Sequence, residues 1–369
     1  MSQRPTGPLA GLRIVELAAI GPVPFAAMLF ADMGADVVRI VRPGTPPLAA
    51  HDIVERGRRV VELDLKSEGG VAAAMALIEH ADALVEGFRP GVMERLGLGP
   101  DVVLARNPRL VCARMTGWGQ TGPLARAAGH DIDYIAITGA LHAIGERDRA
   151  PVPPLNLLGD FGGGALYLVV GVLAGVFEAR QSGHGQVVDC AIVDGAASLL
   201  TFIYAAIARG EWHDARGSNL LDGGAPFYGT YACADGAYVA VGALEPQFHA
   251  ELIERLGLDP AAFSDRDDPA SWPRLRRLLE ETFASRTRRE WRAILEGTDA
   301  CFAPVLGLRE VAQHPHAAAR GLIASLDGVD CPAPAPRFSR TPNELASVQA
   351  ELHDAAVIAR EWASARSPG

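Results

Sequence analysis

The sequence contains very little lysine, and its net charge is negative. Lys66 is the only lysine, so arginine supplies nearly all of the 34 basic side chains, which face 44 acidic ones. A formal net charge of −10 excludes the broad basic face that binding to a phosphate backbone needs, so we expect no nucleic-acid partner. Any phosphate contact must therefore be local, and arginine guanidinium groups would make it.

The chain also lacks paired cysteines and a secretory signal. Its five cysteines are scattered, without a Cys-x-x-Cys pair, which favours reduced core thiols over a metal site or disulfide framework. The stretch from Met1 to Leu9 has no apolar signal segment, and Arg366 to Gly369 match no peroxisomal address. The sequence therefore predicts a cytoplasmic protein.

One long apolar segment runs from Phe161 to Phe177. It contains five glycines and is followed at once by Glu178 and then by Arg180. Glycine content and nearby charge favour a buried helix over a membrane span, so no membrane partner is expected.

The first half of the chain alternates short apolar strands with helical stretches. Ser67 is the predicted N-cap of a helix that ends near His80. The alternation indicates an α/β layer with a mostly parallel sheet. The predicted strands are Leu12 to Leu17, Asp36 to Val41, Val60 to Leu65, Ala83 to Glu86, Leu110 to Thr116 and Gln186 to Ile192.

The second half has a different character, which indicates a smaller α+β domain. A β-hairpin is predicted from Tyr228 to Cys233 and Ala237 to Gly242, across the turn Ala234-Asp235-Gly236. We therefore expect residues 1–209 to form a large domain, 210–226 a linker and 227–331 a small domain. Residues 332–369 would return to the large domain and end in a helix from Pro342 to Ala365.

A glycine motif, Gly117 to Gly122, fits the G-x-G-x-x-G pattern of nicotinamide enzymes directly after a strand. Pro123 and the polar residues after it do not open an apolar helix. The first strand-to-helix turn, where a dinucleotide-binding fold would carry the pattern, lacks it. A structural loop is the interpretation we adopt.

Three polar residues could carry proton chemistry, although each also has a structural interpretation. His130 stands in a glycine-flanked loop and could be an ordinary hydrogen-bonded side chain. Asp160 begins the long apolar helix and could be its N-cap, but an apolar setting would raise its pKa and suit proton abstraction. Glu245 precedes Pro246 at a helix start and could be a solvated acid.

These residues lie in segments that together resemble the family III CoA-transferases, also called CaiB/BaiF proteins, and within them the α-methylacyl-CoA racemase branch. The similarity covers nearly the whole chain. The most discriminating segments are Gly129 to Tyr134, Asn156 to Phe161 and Gly242 to Phe248. One departure is Gly159, where the racemases more often carry alanine.

The resemblance implies a site. His130 and Asp160 would be the acid/base pair on opposite sides of the substrate α-carbon, and Glu245 would orient His130. No redox or metal cofactor is implied, since coenzyme A enters as part of the thioester substrate. The implied CoA contacts are Arg39, Leu63 and Lys66 around the end of one strand, with Arg89, Gly129, Asp131 and Tyr134.

The resemblance also implies an assembly: a large Rossmann-like α/β domain plus a smaller α+β domain, in a homodimer of interlocked rings. The expected activity, in lipid metabolism, is epimerisation of the 2-methyl stereocentre of acyl-CoA thioesters through an enolate. One alternative is CoA transfer, with Asp160 as nucleophile forming an aspartyl-CoA thioester. Another is a CoA-binding scaffold without catalysis.

Overall fold

The computed structural model describes residues 6–365. The targeting prediction on Arg366 to Gly369 therefore lies outside the described residues, and so does the first part of the one on Met1 to Leu9. The strands are β1 (Arg13–Leu17), β2 (Asp36–Val41), β3 (Arg58–Glu62), β4 (Ala83–Glu86), β5 (Val111–Thr116), β6 (Gln186–Ala191), β7 (Tyr228–Ala232), β8 (Tyr238–Gly242), β9 (Phe302–Pro304), β10 (Ile323–Leu326) and β11 (Val329–Pro332). The helices are α1 (Pro22–Asp32), α2 (Glu68–Ile78), α3 (Val92–Arg95), α4 (Pro100–Arg106), α5 (Asp131–Ile137), α6 (Ala140–Ala143), a π-helix (Leu157–Ala165), α7 (Leu166–Ser182), α8 (Ile192–Leu199), α9 (Thr201–Ala208), α10 (Pro246–Leu256), α11 (Trp272–Phe283), α12 (Arg288–Leu295), α13 (Pro315–Arg320) and α14 (Ala355–Ser364).

The chain divides into two compact units. The large unit comprises the residues up to Thr138, Leu155–Leu199 and the chain from Arg320 onward, and the small unit comprises Gly139–Pro154 and Leu200–Ala319. Residues 139–154 and 200–209 thus group with the small unit, although the expected large domain included them.

The large unit is built on a six-stranded parallel sheet with the order β3-β2-β1-β4-β5-β6. This confirms the predicted α/β architecture with a parallel sheet. The strand order reverses between β1 and β4, and in open α/β sheets ligands bind outside the carboxyl ends of the strands at such a switch point. The topology therefore directs attention to the residues that follow β1 and β4.

Helices cover both faces of this sheet. On β1, the neighbouring residues Ile14 and Val15 point to opposite faces, yet both are fully buried. One face packs against α1 and α7, and the other packs against α2 and α14. Ser67 is the N-cap of α2, as predicted, because its hydroxyl accepts the Gly70 backbone N–H at 3.0 Å.

The apolar segment forms a continuous helix from Leu157 to Ser182, which is long and apolar enough by composition to cross a membrane. Its residues Leu168, Val172 and Val176 pack into the hydrophobic core. On its other side, Val170 and Phe177 are 64% and 69% exposed. The predicted burial therefore holds for one face of this helix only.

The small unit contains the predicted hairpin. β7 and β8 pair antiparallel, with Tyr228 opposite Gly242, and β9 pairs with β8. The core beneath them includes Tyr231 and Phe283, whose rings stack at 5.0 Å, and the buried Trp291. This unit is α+β in character.

The end of the chain differs from its prediction. A helix from Pro342 to Ala365 was expected, but α14 begins only at Ala355, where Asp354 accepts the Ala356 backbone N–H at 2.7 Å. The preceding residues run along the sheet instead, since His353 donates its backbone N–H to the Val60 carbonyl at 2.8 Å. Irregular chain, with a single bridge from Leu352 to Val60 of β3, therefore takes the place of the first half of the expected helix.

Candidate active site

A pocket of about 430 Å³ lies at the carboxyl edge of the parallel sheet. Its walls come from residues 20–23 after β1, 87–90 after β4 and 115–118 at the end of β5, together with parts of 125–134, Asp160 and Ile192. These are the strand ends on both sides of the switch point. The fold thus places a pocket where parallel α/β sheets bind ligands.

His130 enters this pocket from the loop that follows β5. It is the N-cap residue of α5, and the Asp133 carboxylate accepts its backbone N–H at 2.9 Å. This hydrogen bond fixes the backbone while the His130 side chain stays exposed. The predicted loop histidine therefore becomes a helix-start residue that faces open space in the pocket.

Asp160 lies on the same pocket, in the first turn of the π-helix. It is not the N-cap, because Asn156 holds that position. Burial raises the pKa of the Asp160 carboxyl, and the negative charge of Asp131 raises it further, against opposing effects of a hydrogen bond from Asn156 and of His130. A half-buried carboxyl with a raised pKa can accept and return a proton nearer neutral pH.

Tyr134 holds the loop that carries His130. Its hydroxyl donates to the Gly129 carbonyl, and its ring packs nearly perpendicular to that of Trp118, with the ring centroids 4.8 Å apart. The ring also lies so close to Gly117 that a Cβ at this position would overlap it. Gly117 is thus required for close packing.

The glycine motif that begins at Gly117 leads into turns and not into a helix, as expected, but its first two residues line the pocket.

The expected CoA-binding residues are dispersed. Arg89, Gly129 and Tyr134 line the pocket with His130 and Asp160, and Arg89 is exposed there. The other expected contacts do not line it. Asp131 is buried beside Asp160, Leu63 packs against the core beneath α2, Lys66 is exposed at the start of α2, and Arg39 borders a separate small cavity.

Arg39 belongs to a buried ionic group that we call the Arg58 cluster, formed by Glu16, Arg39, Glu55 and Arg58. The Arg58 guanidinium is fully buried and lies 2.9 Å from both Glu16 and Glu55. Arg39 lies 2.9 Å from Glu55. Burial raises the pKa of the Glu55 carboxyl. Most of the Arg39 charge is thus already engaged by protein carboxylates.

Glu245 lies in the small unit, as the exposed N-cap residue of α10. Its carboxylate makes no capping hydrogen bond. The pKa of the nearby Cys301 thiol is raised by burial and, secondarily, by the Glu245 charge. The position suits a solvated helix-start acid, and the pairing of Glu245 with His130 stays a prediction.

Two features in or behind the pocket were not anticipated from the sequence. One is the turn after β1, where a Cβ at Gly21 would lie 3.3 Å from the Asp160 carboxylate. Ligands bind at the carboxyl ends of parallel strands, so the Gly21-Pro22 turn after the first strand could have been predicted as part of the pocket. The other is the Asp131 side chain, which accepts the Asp160 backbone N–H at 2.6 Å. Only the folded chain brings those residues together.

Comparison with known proteins agrees with this architecture. The profile of CoA-transferase family III matches residues 9–354. The chain is 45% identical to the mouse alpha-methylacyl-CoA racemase, over 90% of this chain and 87% of the relative, and 44% identical to the human protein of that name over the same shares. A CaiB/BaiF family protein from Brucella suis superposes with a TM-score of 0.81 and 27% identity, covering 97% of this chain and all of that one. The chain therefore belongs to CoA-transferase family III.

Proposed function

We propose that this chain is an α-methylacyl-CoA racemase that inverts the 2-methyl stereocentre of acyl-CoA thioesters. The observation that carries the proposal is that His130 and Asp160, two proton-transfer groups of different type, line one pocket at the sheet edge. The racemase names of the mouse and human relatives support the same activity.

The reaction needs one group to take the α-proton and another to return a proton to the opposite face. With imidazole on one side and carboxylate on the other, His130 would act as base for one epimer and Asp160 for the other. The second group would then act as the acid, so the proton balance closes without a redox or metal cofactor. Positioned proton transfer of this kind contributes roughly 10²–10⁴-fold in rate.

The enolate oxygen formed on deprotonation requires a hydrogen-bond donor. The backbone N–H groups of Asp160 and Phe161 are not available, because they donate to the Asp131 carboxylate and to the Asn156 carbonyl. These two N–H groups at the start of the long helix therefore do not hold the enolate. We assign the enolate to other donors of the pocket wall, with the exposed Arg89 guanidinium as the charged candidate.

Coenzyme A would bind as part of the substrate, in a cytoplasmic enzyme. Arg89, Gly129 and Tyr134 would contact the thioester end, since they line the pocket. Lys66, Leu63 and Arg39 would contact parts of CoA that lie outside it. Asp131 is better explained by its bond to Asp160 than by direct contact with CoA.

We also propose that the enzyme is a homodimer of interlocked subunits, with Glu245 of one subunit completing the site of the other. Apolar side chains exposed on α7, including Val170 and Phe177, support a protein interface. Phe202 on α9 is likewise 58% exposed. Light scattering should report a dimer for the native protein and a monomer for Val170→Asp/Phe177→Asp, and a monomeric native protein would refute this part of the proposal.

The proposed activity is tested by incubating each epimer of a 2-methylacyl-CoA in deuterated water. Both epimers should gain deuterium at the α-carbon and lose optical purity. Failure of either epimer to exchange would contradict the proposal. Trapping with hydroxylamine in the presence of acyl-CoA distinguishes CoA transfer, because only an aspartyl thioester would leave Asp160 modified.

A further inference from the structure

A second carboxylate lies directly behind Asp160. Asp131 is 8% exposed, and its Oδ2 accepts the Asp160 backbone N–H at 2.6 Å. Its other oxygen, Oδ1, is buried and has no hydrogen-bond partner. A buried carboxylate oxygen without a hydrogen-bond partner lowers the stability of the folded protein. Its presence here indicates that Asp131 has a functional role.

The position of Asp131 in the chain gives its hydrogen bond a geometric consequence. Asp131 directly follows His130 and is the first residue of α5, whereas Asp160 belongs to the π-helix. One side chain therefore ties the backbone that carries His130 to the backbone that carries Asp160. The Asp133 carboxylate also holds the His130 backbone, because it accepts the His130 N–H.

Gly159 leaves the space that the Asp131 carboxylate occupies in this hydrogen bond. A Cβ at this position would overlap Asp131 Oδ2 and would lie 2.7 Å from Asp131 Cγ and 3.1 Å from Ile135 Cγ2. Gly159 is itself buried, so a larger residue could not turn outward without moving the helix start. Glycine at this position allows the Asp131 carboxylate to sit against the first turn of the π-helix.

Charges near Asp160 come from several elements. The charges that act on its ionisation are the negative charge of Asp131 and the opposing charge of His130. The titratable or charged side chains on the packed elements and the pocket wall are Asp32 on α1, Arg89 after β4, Asp133 and Tyr134 on α5, Tyr167, Glu178 and Arg180 on α7, Asp189 and Cys190 on β6, and Asp194 on α8. Asp131 differs from them in binding the Asp160 backbone directly.

We propose that Asp131 is a positioning residue, whose carboxylate, seated against Gly159, sets the placement of Asp160 relative to His130. This inference rests on the proposed function for its catalytic consequence, but not for its structural one. The Asp131 carboxylate makes the contact through one oxygen, so the hydrogen bond and the charge can be separated by substitution.

Three variants separate these contributions. Asp131→Asn keeps an oxygen acceptor for the Asp160 N–H but removes the charge. Asp131→Ala removes both. Gly159→Ala displaces the carboxylate while leaving Asp131 in the sequence. The matched controls are Asp101→Asn, at an exposed site on α4, and Gly69→Ala, where a Cβ would meet nothing within 4 Å.

The first measurement does not depend on catalysis. Amide hydrogen exchange of peptides that cover 156–165 should be at least about tenfold faster in Asp131→Ala and Gly159→Ala than in the native protein, because the Asp160 N–H loses its partner. Asp131→Asn and both controls should exchange like the native protein. Unchanged exchange in Asp131→Ala would overturn the inference whatever the enzyme catalyses.

The second measurement uses α-proton exchange of each epimer. Asp131→Ala and Gly159→Ala should lower kcat by about 10–100-fold with KM within about threefold, since small misplacements of reacting groups cost up to about 10²-fold. Asp131→Asn should keep most of kcat. For the epimer that Asp160 deprotonates, the kcat of Asp131→Asn should rise with pH over a lower pH range than the kcat of the native enzyme. The reason is that removing the like charge at position 131 lowers the pKa of Asp160.

A rise in KM alone would make Asp131 a CoA contact, and an unchanged pH range of kcat in Asp131→Asn would remove its electrostatic role. The first result would contradict this inference, the second would make placement of Asp160 the whole contribution of Asp131, and both would leave the racemase proposal intact. Absence of exchange in the native enzyme would instead refute the proposed function. If Asp131→Ala does not fold, Asp131→Asn and Gly159→Ala still decide the outcome.

Discussion

The pocket and the Arg58 cluster both hold charged side chains in the large unit, but they use those charges differently. In the cluster, Arg58 is fully buried and lies 2.9 Å from two carboxylates. In the pocket, His130 and Arg89 are exposed and Asp160 is half-buried. Charges that satisfy one another hold strands together, whereas charges that face a cavity are available to a substrate.

Substitution of an acid/base residue in the pocket should change the reaction rate more than any other substitution proposed below. Asp160→Asn should lower the rate of epimerisation by roughly 10²–10⁴-fold, because an amide cannot exchange the α-proton. Its thermal midpoint should stay close to that of the native protein. The measurement is loss of optical purity of a 2-methylacyl-CoA, with Asp101→Asn as control. Near-native turnover would remove Asp160 from the mechanism.

The next effect is on stability at the cluster. Arg58→Met should lower the free energy of unfolding by about 3–5 kcal/mol, because it removes the nearer cationic partner of the buried Glu16 and leaves only Arg39, at 3.8 Å. The matched control is Arg106→Met, whose exposed pair with Glu79 should contribute no more than about 1 kcal/mol. Urea denaturation measures both. Equal losses in the two variants would show that burial does not distinguish the cluster.

A smaller effect is expected in the small unit, where a buried histidine makes stability depend on pH. Burial and the nearby Arg266 charge lower the pKa of His249 to about 4, from an ordinary value of 6.5. The unfolded chain therefore binds a proton first, so stability present above pH 6.5 is lost as the pH falls towards 4.

The loss at His249 should reach at most about 3 kcal/mol. His249→Phe should flatten this part of the pH dependence, and His316→Gln, at an exposed site in the same unit, should not. Denaturation at a series of pH values tests this. An unchanged slope in His249→Phe would place the pH dependence elsewhere.

The parallel sheet could be predicted closely because its strands are short apolar runs with clear ends. β2 and β4 have the expected bounds, and Ser67 caps α2 as its side chain suggested. The final helix was predicted too long, because the helical pattern continues through residues 342–354, which are irregular and meet β3 only at Leu352 and His353. Long-range edge pairing leaves no local signal.

The candidate site was predictable only in part. His130 and Asp160 could be selected as acid/base candidates from their segments, and they line a common pocket. The π-helical turn and the burial of Asp131 depend on a contact across 29 positions of sequence and on the space left by Gly159. Those features require the tertiary structure, since neither residue alone indicates its partner.

We propose that His130 and Asp160 serve opposite faces of one carbon atom, and variants that keep only one of the two bases test this proposal. In deuterated water, His130→Ala should still exchange the α-proton of the epimer that Asp160 deprotonates, without inverting it, and should not exchange the other epimer. Asp160→Ala should show the mirror-image preference. Loss of exchange for both epimers in either variant, or continued epimerisation in both, would show that His130 and Asp160 do not act on opposite faces.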